Sequence, residues 1–233
     1  MTFILNLETS TTICSVSVTK EGKVLSVRER SDAKSHASQL IPFITEILEE
    51  SCLKPQHLSA IAVSKGPGSY TGLRIGVSTA KGLAYALKVP LIGINTLYSM
   101  ASGFLEINPE HSKSPGLLLC PMIDARRMEV YSSVYDIHLK EIRQIKAEII
   151  DKDSFLPLLK NNCIHFFGDG AMKCKDVIQN KSAIFHEGFN PSSKFMGEIA
   201  YNYFKKGLFE NLAYFEPLYL KDFVATIPVN KMI

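Results

Sequence analysis

Residues Ser64 to Leu87, SKGPGSYTGLRIGVSTAKGLAYAL, constrain this chain more than any other stretch. A short apolar run from Ala60 to Ser64 enters a loop carrying Gly66, Gly68 and Gly72, with Pro67 stiffening the turn. From about Leu73 the apolar period becomes helical, with Leu73, Val77, Ala80, Ala84 and Leu87 on one stripe. Gly76, Ser78, Gly82 and Ala86 leave this helix small-sided, so that another backbone can come close. It reads as a buried or partner-facing helix. Spacing alone leaves the loop's purpose open. A helix N-terminus offers unpaired N–H groups and a positive dipole end to an anion, but a tight strand-to-helix turn calls for the same glycines. Both standard nucleotide signatures fail: Leu73 and Arg74 follow Gly72 where a P-loop has Lys and Ser or Thr, and Thr71 stands where a dinucleotide fingerprint has its third glycine.

The 233 residues suffice for one large domain or two small ones, and 46% hydrophobic residues supply a core. A net charge of +3, with no block of Lys and Arg, is too mild to indicate nucleic-acid binding by itself. The start, MTFILNLETS, reads as a first strand rather than a signal peptide. No apolar run reaches the ~18 residues of a membrane span. Cys14, Cys52, Cys120, Cys163 and Cys174 are odd in number and widely spaced, supporting neither a zinc site nor a disulfide framework. The expected compartment is the cytoplasm, with no membrane contact.

In chain order, Thr2 to Leu7 reads as a buried strand and Ile13 to Thr19 as a half-buried one. Glu21-Gly22 supplies a hairpin turn into a third strand, Lys23 to Arg30. Ala37 to Glu50 carries Leu40, Ile41, Ile44, Ile47 and Leu48 on a wide helical face. The strand before the glycine loop, the helix after it and a strand at Leu91 to Ile94 complete the order βββαβαβ. After a polar connection (Asn108 to Ser114) the order repeats. Strands are expected at Leu117 to Ile123, Met128 to Tyr135, Glu141 to Ile149, Cys163 to Phe167 and Ala183 to His186, with helices at Lys152 to Lys160, Ala171 to Gln179 and Lys194 to Phe204. Two α/β lobes result, 1–105 and 106–233, with the last helix a candidate to return to the first lobe.

Each half sets polar residues just after its first strand: Glu8-Thr9-Ser10-Thr11-Thr12 in one, Asp124-Ala125-Arg126-Arg127 in the other. In a duplicated α/β protein these turns face each other across a cleft. Glu8 there would hold a nucleotide's magnesium through water, or the hydroxyls merely close a turn and Glu8 is solvated. Both readings stay open on the residues alone.

Leu7-Glu8-Thr9-Ser10, the GPGSYTGLRIG core, Ile123-Asp124-Ala125-Arg126-Arg127 with Glu129-Val130-Tyr131, and Gly168-Asp169-Gly170-Ala171 occur in that order. Together, over essentially the full length, they resemble the TsaB (YeaZ) family. That resemblance implies the two-lobed, duplicated actin-like ATPase fold of sugar kinases, Hsp70 and actin. It also implies a role in forming N6-threonylcarbamoyladenosine at position 37 of tRNAs reading codons that begin with A. In that pathway the transfer is made by a relative of the same fold, TsaD, which pairs with TsaB and is joined by the small ATPase TsaE. The catalytic relative carries a His-x-x-x-His metal pair on the helix after the strand matching Leu91 to Ile94. Here those positions are Thr96 and Met100, and neither a hydroxyl nor a thioether replaces imidazole as a strong ligand. The expectation is a non-catalytic scaffold with no metal and no cofactor of its own, self-pairing when alone, meeting tRNA through the complex.

The resemblance also places a partner interface on the first-lobe helices. Leu40, Ile44, Ile47, Leu73, Val77, Ala80 and Ala84 are its candidates, although such a stripe equally packs inside a lobe. A candidate nucleotide cleft for ATP or ADP, if not at the complex interface, takes Glu8, Thr9, Ser10, Gly66, Gly68, Gly168, Asp169 and Gly170. The enzymatic alternative is an ATP-dependent kinase or acyltransferase of this fold. A peptidase reading of Ser35-His36 lacks a third group. His57, His111, His138, His165 and His186 look scattered, without ligand spacing.

Overall fold

The Glu21-Gly22 turn is the shortest way to join two strands, and both residues take positive φ (52° and 88°), as a two-residue hairpin loop requires. In the computed structural model, which describes residues 1–31 and 36–221, it links β2 (Ile13–Lys20) to β3 (Lys23–Ser31). β1 (Phe3–Glu8) pairs antiparallel with β2 in the register Phe3↔Lys20 to Glu8↔Ser15. Parallel partners need a crossover. α1 (His36–Glu50) carries the chain to β4 (Ala60–Gly66), which lies parallel to β1, and α2 (Tyr70–Leu87) carries it on to β5 (Leu91–Asn95). The sheet order is β3-β2-β1-β4-β5.

α3 (Thr96–Ile107) then connects to a second sheet made of β6 (Leu117–Asp124), β7 (Glu129–Asp136), β8 (Glu141–Ile149), β9 (Cys163–Phe167) and β10 (Ala183–His186). Its order, β8-β7-β6-β9-β10, repeats that of the first. The chain has the duplicated, two-lobed α/β fold expected of it, with the same order of strands in each sheet.

Two expected helices shrink. Of residues 152–160 only α4 (Leu156–Leu159) is α-helical. The Asp151 carboxylate accepts from the Ser154 hydroxyl (2.8 Å) and the Asp153 N–H (2.9 Å), closing a local turn that competes with helix. Residues 171–179 form a single 3₁₀ turn at Met172–Cys174 and further turns. The helical spacing still holds for burial, since Ala171, Cys174 and Ile178 all enter the second core. α5 (Gly197–Lys205) follows a 3₁₀ turn at Ser193–Met196.

The layers explain how the lobes hold together. The stripe of α1 and α2 packs on one face of the first sheet, against Leu5, Leu7, Val16, Val18, Ile61 and Val63. Leu40, Ile44, Ile47, Leu73, Val77, Ala80 and Ala84 are therefore core residues, all buried, and not the partner-facing set expected of them. The other face of that sheet, Ile4, Ala60, Ala62, Ile92 and Ile94, is covered by Met196, Ile199 and Ala200 at the start of α5. α3 in turn covers the second sheet: Leu97, Met100, Ala101 and Phe104 meet Leu119, Ile123 and Phe167. Each lobe thus lends a helix to the other.

Candidate functional site

The cleft expected between the two post-strand turns exists. Ser10, Thr11 and Thr12 from the β1–β2 turn, Gly68 to Gly72 at the start of α2, Ile123 to Arg126 from the β6–β7 turn, Asp169, and residues 218–221 enclose a volume of about 720 Å³. Of the candidate nucleotide residues only Ser10, Gly68 and Asp169 border it.

Glu8, Thr9 and Ser10 are 0% exposed. Glu8 Oε1 accepts from the Ser10 N–H (2.6 Å) and the Ser64 hydroxyl (2.9 Å), whereas Oε2 is buried with no partner. Burial pushes the Glu8 carboxyl above its ordinary value, opposed by these bonds from Ser10 and Ser64. Enclosed in this way, Glu8 is not the solvated residue of the second sequence reading.

Between the two purposes of the glycine loop the geometry decides. A Cβ on Gly68 would lie 2.3 Å from the Ser10 carbonyl oxygen, one on Gly72 2.1 Å from that of Thr9, and one on Gly76 2.3 Å from Thr9 Oγ1. The Thr9 hydroxyl donates to the Gly72 carbonyl (2.8 Å) and the Ser69 N–H to that of Ser10 (2.6 Å). The glycines seat the protein's own β1–β2 turn. Gly66, Gly168 and Gly170 are spoken for in the same way, by Leu218, Met122 and Ile123 respectively. Glu8, Thr9, Gly66, Gly168 and Gly170 thus pack behind the cleft wall, whereas Ser10, Gly68 and Asp169 border it.

The opposite wall is polar. Asp124 accepts from the Arg126 N–H (2.7 Å) and from Lys173, whose ammonium also donates to the Glu129 carbonyl (2.7 Å). The Asp124 N–H is held by Asp169 Oδ1 (2.9 Å). Arg126 and Arg127 both take left-handed backbone angles, φ 72° and 52°. Residues 210–221 run as a strap along the first lobe, and its end, 218–221, borders the cleft. Glu210 pairs with Lys65 (3.1 Å), the Leu218 N–H donates to the Lys65 carbonyl (2.6 Å), Tyr219 packs on Tyr70, and Lys221 pairs with Glu129.

Thr96 and Met100 lie one turn apart on α3, both 0% exposed, where Met100 joins the core between α3 and the second sheet. Among the described residues no three His, Cys, Asp or Glu side chains are arranged to hold a metal ion. His36 Nε2 lies 2.9 Å from the Thr11 carbonyl oxygen; Ser35 and residues 222–233 fall outside the described residues. The histidines are not all scattered. His186 Nε2 lies 3.0 Å from His165 Nδ1, and the His111 ring centroid is 4.6 Å from that of His165. No spacing rule finds this trio, because β9–β10 pairing and the turn after α3 assemble it.

Compared with known proteins, residues 24–229 match the family model described as TsaD: tRNA N6-adenosine threonylcarbamoyltransferase. The chain is 30% identical over 231 residues to the tRNA threonylcarbamoyladenosine biosynthesis protein TsaB of Escherichia coli, covering 95% of this chain and 96% of that protein. With the protein of the same name from Bacillus subtilis identity is 36% over 132 residues, 57% of this chain and 54% of the relative. YeaZ from Pseudomonas aeruginosa, a solved structure, is similar in fold with a TM-score of 0.80 at 24% identity, covering 94% of this chain and 100% of that one.

Proposed function

The chain belongs to the TsaB (YeaZ) family, and from that premise we propose that it is a non-catalytic scaffold in the formation of N6-threonylcarbamoyladenosine on tRNA. On this reading it binds and supports TsaD, together with TsaE, pairs with itself when alone, and meets tRNA through the complex. The observation that carries the proposal is at Thr96 and Met100. Where the resemblance implies an imidazole pair in the transferase, this chain buries a hydroxyl and a thioether, both weak ligands for a borderline metal ion. It has no cofactor of its own on this reading, and ATP or ADP is placed at the interface with the partner.

The docking surface follows from the correction to the stripe. With the apolar face of α1 and α2 turned inward, what remains for a partner is the solvent side: Ile41 (52% exposed) and Pro42 on α1, and Ser78, Gly82, Tyr85 and Ala86 on α2. Gly82 has nothing within 4 Å of where a Cβ would stand. Ser78, Gly82 and Ala86 are small enough to let a second helix approach closely.

The test is reconstitution of the modified base from TsaD, TsaE, the donor-forming enzyme and tRNA, with and without this protein. Modification should depend on it, and Ser78→Arg with Ile41→Asp should abolish co-purification with TsaD while the variant stays folded. Modification proceeding equally well without it, or threonylcarbamoyl transfer by the chain alone, refutes the proposal.

A further inference from the structure

His111, His165 and His186 come from three elements: the 3₁₀ turn Pro109–Lys113 after α3, β9, and the end of β10. Phe104 of α3 ties them into one group. Its ring is parallel to His111 (centroids 5.8 Å apart, 4°) and to Phe167 (4.3 Å, 12°), and stands edge-on to His165 (6.0 Å) and His186 (4.9 Å). His165 is 4% exposed, and its sole hydrogen-bonding neighbour among the described residues is His186. From this geometry we propose that the trio is an acid-sensitive latch, which holds the end of α3 on the β9–β10 edge while the His165–His186 pair keeps a neutral ring and releases it when both rings of that pair are charged.

The chemistry of the 3.0 Å contact sets the rule. Between His165 Nδ1 and His186 Nε2 one nitrogen donates and the other accepts, so at least one ring is neutral. When both are protonated, two N–H groups confront each other. Among the described residues no carboxylate pairs with His165 or His186. Glu110 approaches only His111 (3.8 Å). Glu29, across the groove that His186 lines with Arg30, Glu187 and Lys194, already accepts from the Ser15 and Ser192 hydroxyls. On α3 itself Glu106 is influenced by Lys194 and Glu198 rather than by a histidine. Burial first, then the neighbouring His186 and His111, bring His165 down to about 4, and burial with His111 lowers His186.

A histidine whose folded value lies below its ordinary 6.5 stabilises the fold above that pH and loses its contribution as pH falls toward about 4. The released piece matters because α3 is the helix by which the first lobe covers the second sheet. Its distal end and the 3₁₀ turn would detach, loosening one lobe against the other.

The experiment is a histidine-ring NMR titration of the full chain from pH 8 to 3.5, with hydrogen exchange followed in parallel. His165 should titrate well below the ordinary histidine value of 6.5, toward about 4, and protection at residues 100–113 and 183–189 should fall together with it while β1 and β4 stay protected. His165→Leu, or the less buried His111→Gln should the first fail to fold, should move that loss to lower pH. An ordinary titration of His165, a simultaneous loss across both sheets, or an unchanged profile in a folded variant overturns the latch. A titration that EDTA shifts would also overturn it, because the rings would then be ligands of an ion.

Discussion

Alanine at Gly72 and at Gly82 should have opposite effects on stability, although both glycines lie on α2 and the change is the same. In a helix Gly→Ala gains about 0.5–1 kcal/mol from backbone entropy, and at Gly82 nothing opposes it, since the added methyl meets no atom within 4 Å. At Gly72 the methyl would sit 2.1 Å from the Thr9 carbonyl oxygen. That oxygen belongs to backbone, anchored by β1–β2 pairing and by the Thr9 hydroxyl on Gly72 itself, so no rotamer change relieves the clash. Overpacking of this kind costs about 1–3 kcal/mol. With backbone on both sides the upper end applies, and subtracting a propensity gain of at most about 1 leaves a loss of ~2 kcal/mol. Urea unfolding followed by far-UV circular dichroism measures both, at protein concentrations low enough to exclude self-association through the Gly82 face. If Gly72→Ala proves as stable as the parent, the β1–β2 turn is free to move, and the loop's glycines are not there to seat it.

Glu8→Gln should flatten one limb of the pH–stability profile. A carboxyl raised above its ordinary 4.5 contributes stability that is complete below that pH and is lost as pH rises, so the parent should weaken from pH 4.5 toward neutrality relative to the variant. Parallel urea midpoints at every pH would contradict the burial argument. Lys81→Met removes an ammonium that donates to the carbonyls of Ala213 (3.3 Å) and Phe215 (2.9 Å). Hydrogen exchange near residues 213–218 should quicken by an amount equivalent to about 1.5 kcal/mol, with β1 unaffected, and no change there would mean that the strap is held by Phe215 packing alone.

The local order of elements was written in local patterns. Alternation in Ile13–Lys20 and Lys23–Ser31, the Glu21-Gly22 turn between them, and the period of Leu73, Val77, Ala80 and Ala84 each report how one short segment meets its surroundings. Repetition of that order predicted two similar lobes, and the motifs pointed to the family. A helical stripe, however, says only that one face avoids water, not what covers it. Thus Leu40 and Ala80 looked fit for a partner until the first sheet was seen to occupy them. The same limit applies to Gly72, whose backbone freedom suits an anion or a neighbouring turn equally well until Thr9, 63 residues earlier, is placed against it. Burial of Glu8, the mutual covering of the lobes by α3 and α5, and the meeting of His111, His165 and His186 depend on contacts between segments far apart in the chain. Side-chain periodicity encodes the face an element buries; which distant group fills the space opposite is decided only when the sheets pack.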